Sequence, residues 1–82
     1  MTHHHHHHHE TQSNLTFDEK LTKLLEHWIQ HNEAHMSNYM EWAAKAKENN
    51  LDQVSGLIEN AANVSTKTSE KLSEALNLLK KA

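Results

Sequence analysis

The spacing of apolar residues constrains the fold of this chain more than any other feature. From Phe17 to Ala46 they recur mostly at intervals of three and four residues, and a second series of this kind runs from Leu51 to Leu79. These intervals are those of an α-helix, and no stretch shows the period of two that marks a half-buried strand. The chain also has one glycine and no proline, the residues on which tight turns depend. The sequence therefore predicts an all-α fold and excludes all-β and doubly wound folds.

The ends of the predicted helices carry their own signals. Thr16 and Glu19 have the spacing of a capping box, in which a hydroxyl and a carboxylate satisfy the first free amides of a helix. The dipeptide Asn49-Asn50 predicts a left-handed stop for the first helix and a new N-cap for the second. Two helices are therefore expected, joined by a short turn.

We place these helices at about residues 17–48 and 51–81, within one domain over residues 15–82. A two-residue turn forces them to run antiparallel, so the predicted fold is a helical hairpin. Because both helices rise by the same amount per residue, facing residues should have numbers that add up to about 100.

The predicted seam between the helices is a heptad pattern with a polar middle layer. In it, His35 lies opposite Ser65. The seam residues, seven apart on each helix, are Leu21, Trp28, His35 and Trp42 on the first helix and Leu51, Ile58, Ser65, Leu72 and Leu79 on the second.

A hairpin of this size buries too little apolar surface to offset the entropy of its chain. We therefore predict a homodimer in which two hairpins form an antiparallel four-helix bundle. The alternative is a break in the first helix near Asn32, which would give a three-helix bundle. The unbroken hairpin is favoured because the pairing rule holds on both sides of Asn32.

Composition excludes several classes of partner and activity. Eleven acidic residues outnumber eight scattered lysines, arginine is absent and the net charge is −3, so we expect no binding to nucleic acid. No apolar run is long enough to span a membrane, and the N-terminus carries no apolar signal segment, so we expect a cytoplasmic protein without membrane contact. No cysteine nucleophile or glycine-rich phosphate loop is present, so we expect no enzymatic activity.

Histidine is the residue type that indicates a specific chemistry in this sequence. Ten of the 82 residues are histidines. Residues 1–14 contain no aliphatic side chain after Met1 and are predicted to stay disordered. Their histidines have two interpretations, a purification tag or a native tract that binds several ions loosely. Neutral imidazoles suit Ni²⁺, Co²⁺ and Zn²⁺ in either case. The histidines of this tract are His3, His4, His5, His6, His7, His8 and His9.

A second group consists of His27, His31 and His35, spaced by four residues and therefore on one side of a helix. Measured from the direction of Trp28 at 100° per residue, His35 lies about 20° away, His31 about 60° and His27 about 100°.

This group also has two interpretations. In one, His35 is a core residue that hydrogen-bonds to a hydroxyl, since buried polar groups are normally paired. In the other, His31 and His35 chelate a metal ion, with His27 as a further ligand outside the apolar stripe, in a site that a dimer axis could double. The segment His31–His35 is similar to the zinc-protease helix, but its glutamate, Glu33, is displaced by one position from that of the general base.

Residues 25–35, LEHWIQHNEAH, are followed by Tyr39 and by Glu41-Trp42-Ala43. Together they resemble a small, poorly characterised prokaryotic family of helical proteins that carry a His-rich N-terminal tract before such a helix. The resemblance covers about residues 17–80. It implies a native tract and a role in nickel, cobalt or zinc handling. The expected function is metal binding without catalysis, and the alternative is a homodimerisation module with structural histidines.

Overall fold

The computed structural model describes residues 14–81, which form two α-helices. The first, α1, is Phe17–Glu48, and the second, α2, is Asp52–Lys81. They pack side by side as an all-α helical hairpin, as predicted. Helix α1 continues through Asn32 without interruption, so the alternative of a three-helix bundle is wrong. Within residues 14–81, neither helix is long and apolar enough to cross a membrane.

The predicted disorder of residues 1–14 concerns a segment that, except for Asn14, lies outside the described residues. The tract His3–His9 lies outside them as well.

Helix α1 begins with the predicted capping box. The Thr16 hydroxyl accepts a hydrogen bond from the Glu19 amide at 3.1 Å, and the Glu19 carboxylate accepts one from the Thr16 amide at 2.9 Å. Asp18 and Glu19 also place negative charge at the positive end of the helix dipole. Local sequence alone therefore fixes where this helix starts.

The turn between the helices is a Schellman motif centred on Asn50, whose φ of 64° is left-handed. The Asn50 amide donates to the carbonyl of Lys47 at 3.0 Å, and the Leu51 amide donates to that of Ala46 at 2.9 Å. The predicted left-handed stop is thus confirmed. The prediction of Asn50 as the second N-cap is wrong. A residue in the left-handed region cannot adopt the extended conformation of a cap, and α2 starts one residue later.

Small residues form the seam between the helices. Ala43 and Ala62 are 1% and 2% exposed, and Ser55 and Ser69 are also buried. The Ser55 hydroxyl donates to the carbonyl of Ala43 at 2.7 Å, which ties the helices together near the turn. These side chains let the two backbones approach closely, so the core contains few large side chains.

Asn32 holds the middle of the seam. Its amide nitrogen donates to the Ser65 carbonyl at 2.6 Å and lies 2.8 Å from the Ser69 hydroxyl. The prediction that facing residues have numbers adding up to about 100 is therefore confirmed. The predicted set of seam residues on α1 is wrong. Trp28 and Trp42 are 43% and 58% exposed. The actual seam lies about 70° around the helix from the direction of Trp28, at 100° per residue.

Replacing Gly56 with alanine should raise the free energy of unfolding by about 1 kcal/mol, because glycine is the weaker helix former. Gly56 lies within α2, and a Cβ atom there would meet nothing within 4 Å. Urea unfolding followed by circular dichroism measures the difference. A lower unfolding midpoint for Gly56→Ala would contradict the helical, unobstructed environment assigned to this position.

Candidate metal centre

The three histidines of α1 form a ladder on the exposed side of the helix. The rings of His27 and His31 stack, with centroids 5.8 Å apart, whereas those of His31 and His35 meet edge to face at 4.4 Å. The ladder continues to Tyr39, whose ring stacks on His35 at 6.2 Å. The spacing of four residues produces this order, since each side chain lies one helical turn above the last.

The two Nε2 atoms of His31 and His35 converge to 3.0 Å. At this distance they can share one proton, with one nitrogen donating and the other accepting, or they can bind one metal ion together. A metal about 2.0–2.1 Å from each nitrogen would see them at an angle of about 94°. That angle is close to the value in square-planar and octahedral complexes. The pair therefore has the geometry of a bidentate chelate.

The hairpin supplies only two ligands to this site. No group of three or more histidine or acidic side chains among residues 14–81 could hold a metal ion. His27 stacks on His31 and is not brought into the convergent pair. Structural zinc sites have four protein ligands and catalytic ones usually three. The residues fit a metal in donor type and spacing, and one chain leaves further coordination positions open.

The structure decides against a core position for His35 in the hairpin. The prediction that it faces Ser65 is wrong, because Asn32 occupies that position and bonds to Ser65 and Ser69. His35 is exposed, as are His27 and His31. Sequence reasoning missed Asn32, although Asn32 lies seven residues after the buried Leu25. That spacing was the available signal.

Exposed apolar side chains of α1 lie on the same side of the helix as the pair, at 100° per residue. They share one side of the hairpin, where Trp42 lines a cleft of about 230 Å³ together with Leu51 and Ile58. We call this side the apolar face. Its large exposed members are Phe17, Leu24, Trp28, Tyr39 and Trp42 from α1, Leu51 from the turn and Val54 from α2.

The opposite side of the hairpin carries mostly polar side chains, with Met36 among them. A groove of about 440 Å³ runs along it, lined by residues that include Glu33, Glu70 and Asn77. The Lys80 ammonium also lies 3.9 Å from the Glu26 carboxylate on this side. The histidine pair therefore belongs to the apolar side of a two-faced hairpin.

A family model for a domain of unknown function, DUF8180, matches residues 21–79. The chain belongs to the DUF8180 family. The match spans most of both helices and includes all three histidines of α1, whereas the tract His3–His9 lies outside it. Membership confirms the prediction of a poorly characterised family. No curated protein and no solved structure matches this DUF8180 chain.

Proposed function

We propose that this DUF8180 protein is a small, non-enzymatic metal-binding protein that handles or stores Ni²⁺, Co²⁺ or Zn²⁺. His31 and His35 are the proposed ligands, and the observation that carries the proposal is the 3.0 Å convergence of their Nε2 atoms. Imidazole nitrogen suits all three ions.

The exposure of the pair supports binding of an ion from solution. Both rings lie on the outside of the hairpin, so an ion can reach them without opening the seam. His27 lies one turn further towards the N-terminus of α1 and is proposed as a peripheral, weaker contact. The tract His3–His9 is proposed to capture ions loosely near the hairpin and thereby raise their local concentration.

Titration of the full-length chain with NiCl₂ tests this function, using a variant in which His3–His9 are replaced by glutamine. We expect saturable binding to persist without the tract, because the pair on α1 needs no contribution from it. Calorimetry measures the affinity and the stoichiometry. Loss of all saturable binding of Ni²⁺, Co²⁺ and Zn²⁺ in this variant would contradict the proposal and leave the tract as the metal binder.

The second candidate function is a helical homodimerisation module in which the histidines have no metal. The apolar face favours it, since large side chains such as Trp42 at 58% exposed are costly to leave in water. In that case the glutamine variant would self-associate and bind no metal. Both functions are compatible with a dimer, but only the first predicts that the chain binds metal in the titration.

A further inference from the structure

We propose that a second copy of this chain covers the apolar face in an antiparallel arrangement, so that the two His31–His35 pairs form one shared four-imidazole metal site. This inference rests on the proposed metal-binding function and specifies its ligand set. Its starting point is that one hairpin provides two ligands in a site that accepts more. The partner copy would provide the other two.

The hairpin leaves most of its large apolar side chains exposed to water on one face. Within residues 14–81 the buried apolar side chains are Leu25, Ala43 and Ala62, and no large side chain is fully buried. The apolar face meanwhile exposes both tryptophans, whereas the opposite groove is lined by three carboxylates, three hydroxyl side chains, the Asn77 amide and Met36. Covering the apolar face with a second copy would therefore bury apolar side chains, whereas covering the opposite side would bury charged ones.

The area of this face is sufficient for a stable dimer. Helix α1 has 32 residues, which makes it about 48 Å long, and two adjacent helices are roughly 20 Å wide. The face thus offers on the order of 900 Å², and stable interfaces bury about 800 Å² on each partner.

The position of the histidine pair along the hairpin determines which residues of the second copy would face the pair. The midpoint of α1 lies between residues 32 and 33, and that of α2 between residues 66 and 67. Asn32 bonds to Ser65 and Ser69, so the two midpoints lie at one level of the hairpin. His31 and His35 lie on either side of that level.

When α1 packs antiparallel against α1 of the second copy, the two copies overlap along their full length only if their twofold axis crosses the helices at this midpoint. In this arrangement, residues of the two copies face each other when their numbers add up to about 65. To within one residue, His31 then faces His35 of the partner subunit, and the reverse pair forms across the axis. Full overlap of the apolar faces therefore places four imidazoles together.

The sequence of the face is self-complementary about this axis, as an isologous interface requires. Leu24 faces Trp42 of the partner subunit under the same rule, so that the apolar layers at the two ends of α1 match. On α2 the middle layer contains Ser65 and Thr68, which gives the centre of the dimer a polar layer around the imidazoles. An arrangement with α1 against α2 of the partner would instead leave each histidine pair facing that hydroxyl layer.

The test is sedimentation velocity together with calorimetric titration of NiCl₂, on the full-length chain with His3–His9 replaced by glutamine. Trp28→Glu places a charge in the centre of the apolar face. Met40→Glu is the matched control, since Met40 is 48% exposed, comparable with Trp28 at 43%, but lies about 120° around α1 from Trp28 at 100° per residue. Circular dichroism checks that both variants keep their helices, and Trp42→Glu is a second variant of the face.

We expect the parent and Met40→Glu to be dimers that bind one Ni²⁺ per two chains. Trp28→Glu and Trp42→Glu should be monomers that bind Ni²⁺ at least tenfold more weakly. One Ni²⁺ per chain in a dimer, or a monomeric parent that still binds Ni²⁺, would overturn the shared site while leaving the proposed function intact. A dimer that binds no metal would overturn both.

Discussion

Replacing either His31 or His35 with alanine should weaken Ni²⁺ binding by at least about tenfold, because each change converts a chelating pair into a single ligand. Their Nε2 atoms are 3.0 Å apart, so both reach one ion without rearrangement of the helix. Calorimetry on the chain with His3–His9 replaced by glutamine measures the effect without competition from the tract.

His27→Ala is the matched control for these two variants. His27 is also an exposed histidine of α1, but its ring stacks on His31 at 5.8 Å and lies outside the convergent pair. We expect its affinity for Ni²⁺ to stay within about threefold of the parent. Equal affinities in all four proteins, or a loss in His27→Ala as large as in His31→Ala, would contradict the assignment of the ligands.

Asn32→Ala should lower the free energy of unfolding by about 2 kcal/mol. The change removes the hydrogen bonds to the Ser65 carbonyl and the Ser69 hydroxyl, each contributing about 1 kcal/mol, and leaves space in the seam. Urea unfolding monitored by circular dichroism gives the difference.

Gln30→Ala serves as the control for Asn32→Ala. It removes an exposed amide from the same part of α1, and we expect a change within about 0.5 kcal/mol. If both variants lose the same stability, Asn32 has no special role in joining the helices, and the seam assigned to α1 is wrong.

The hairpin could be predicted because its signals are local. Thr16 and Glu19 define the start of α1 through bonds within one helical turn, and Asn50 ends α1 by adopting a left-handed conformation. Helical periodicity and a two-residue turn then leave only an antiparallel pair. Neither step depends on how the helices pack.

The seam could not be predicted from hydrophobicity, because the hairpin packs its small residues and not its largest ones. Ala43, Ala62 and the buried serines allow the backbones to approach, and this moves Trp28 and His35 to the apolar face. A helical wheel gives the centre of the whole apolar stripe. It does not say which part faces the second helix and which part remains for another partner.

The candidate site was predicted only in outline. The spacing of four residues places His31 and His35 as neighbours on one side of the helix. Their convergence at Nε2 depends on side-chain rotamers that the spacing leaves open. The stacking of His27 on His31 depends on rotamers in the same way.

The most direct test of the metal site is the nitrogen NMR spectrum of the imidazoles during titration with Zn²⁺, which is diamagnetic, in the full-length chain with His3–His9 replaced by glutamine. If His31 and His35 bind the ion together, their Nε2 resonances should shift in parallel and saturate at one stoichiometry, while those of His27 change little. Unchanged resonances at His31 and His35 at saturating Zn²⁺, or a shift confined to one of them, would contradict the chelating pair.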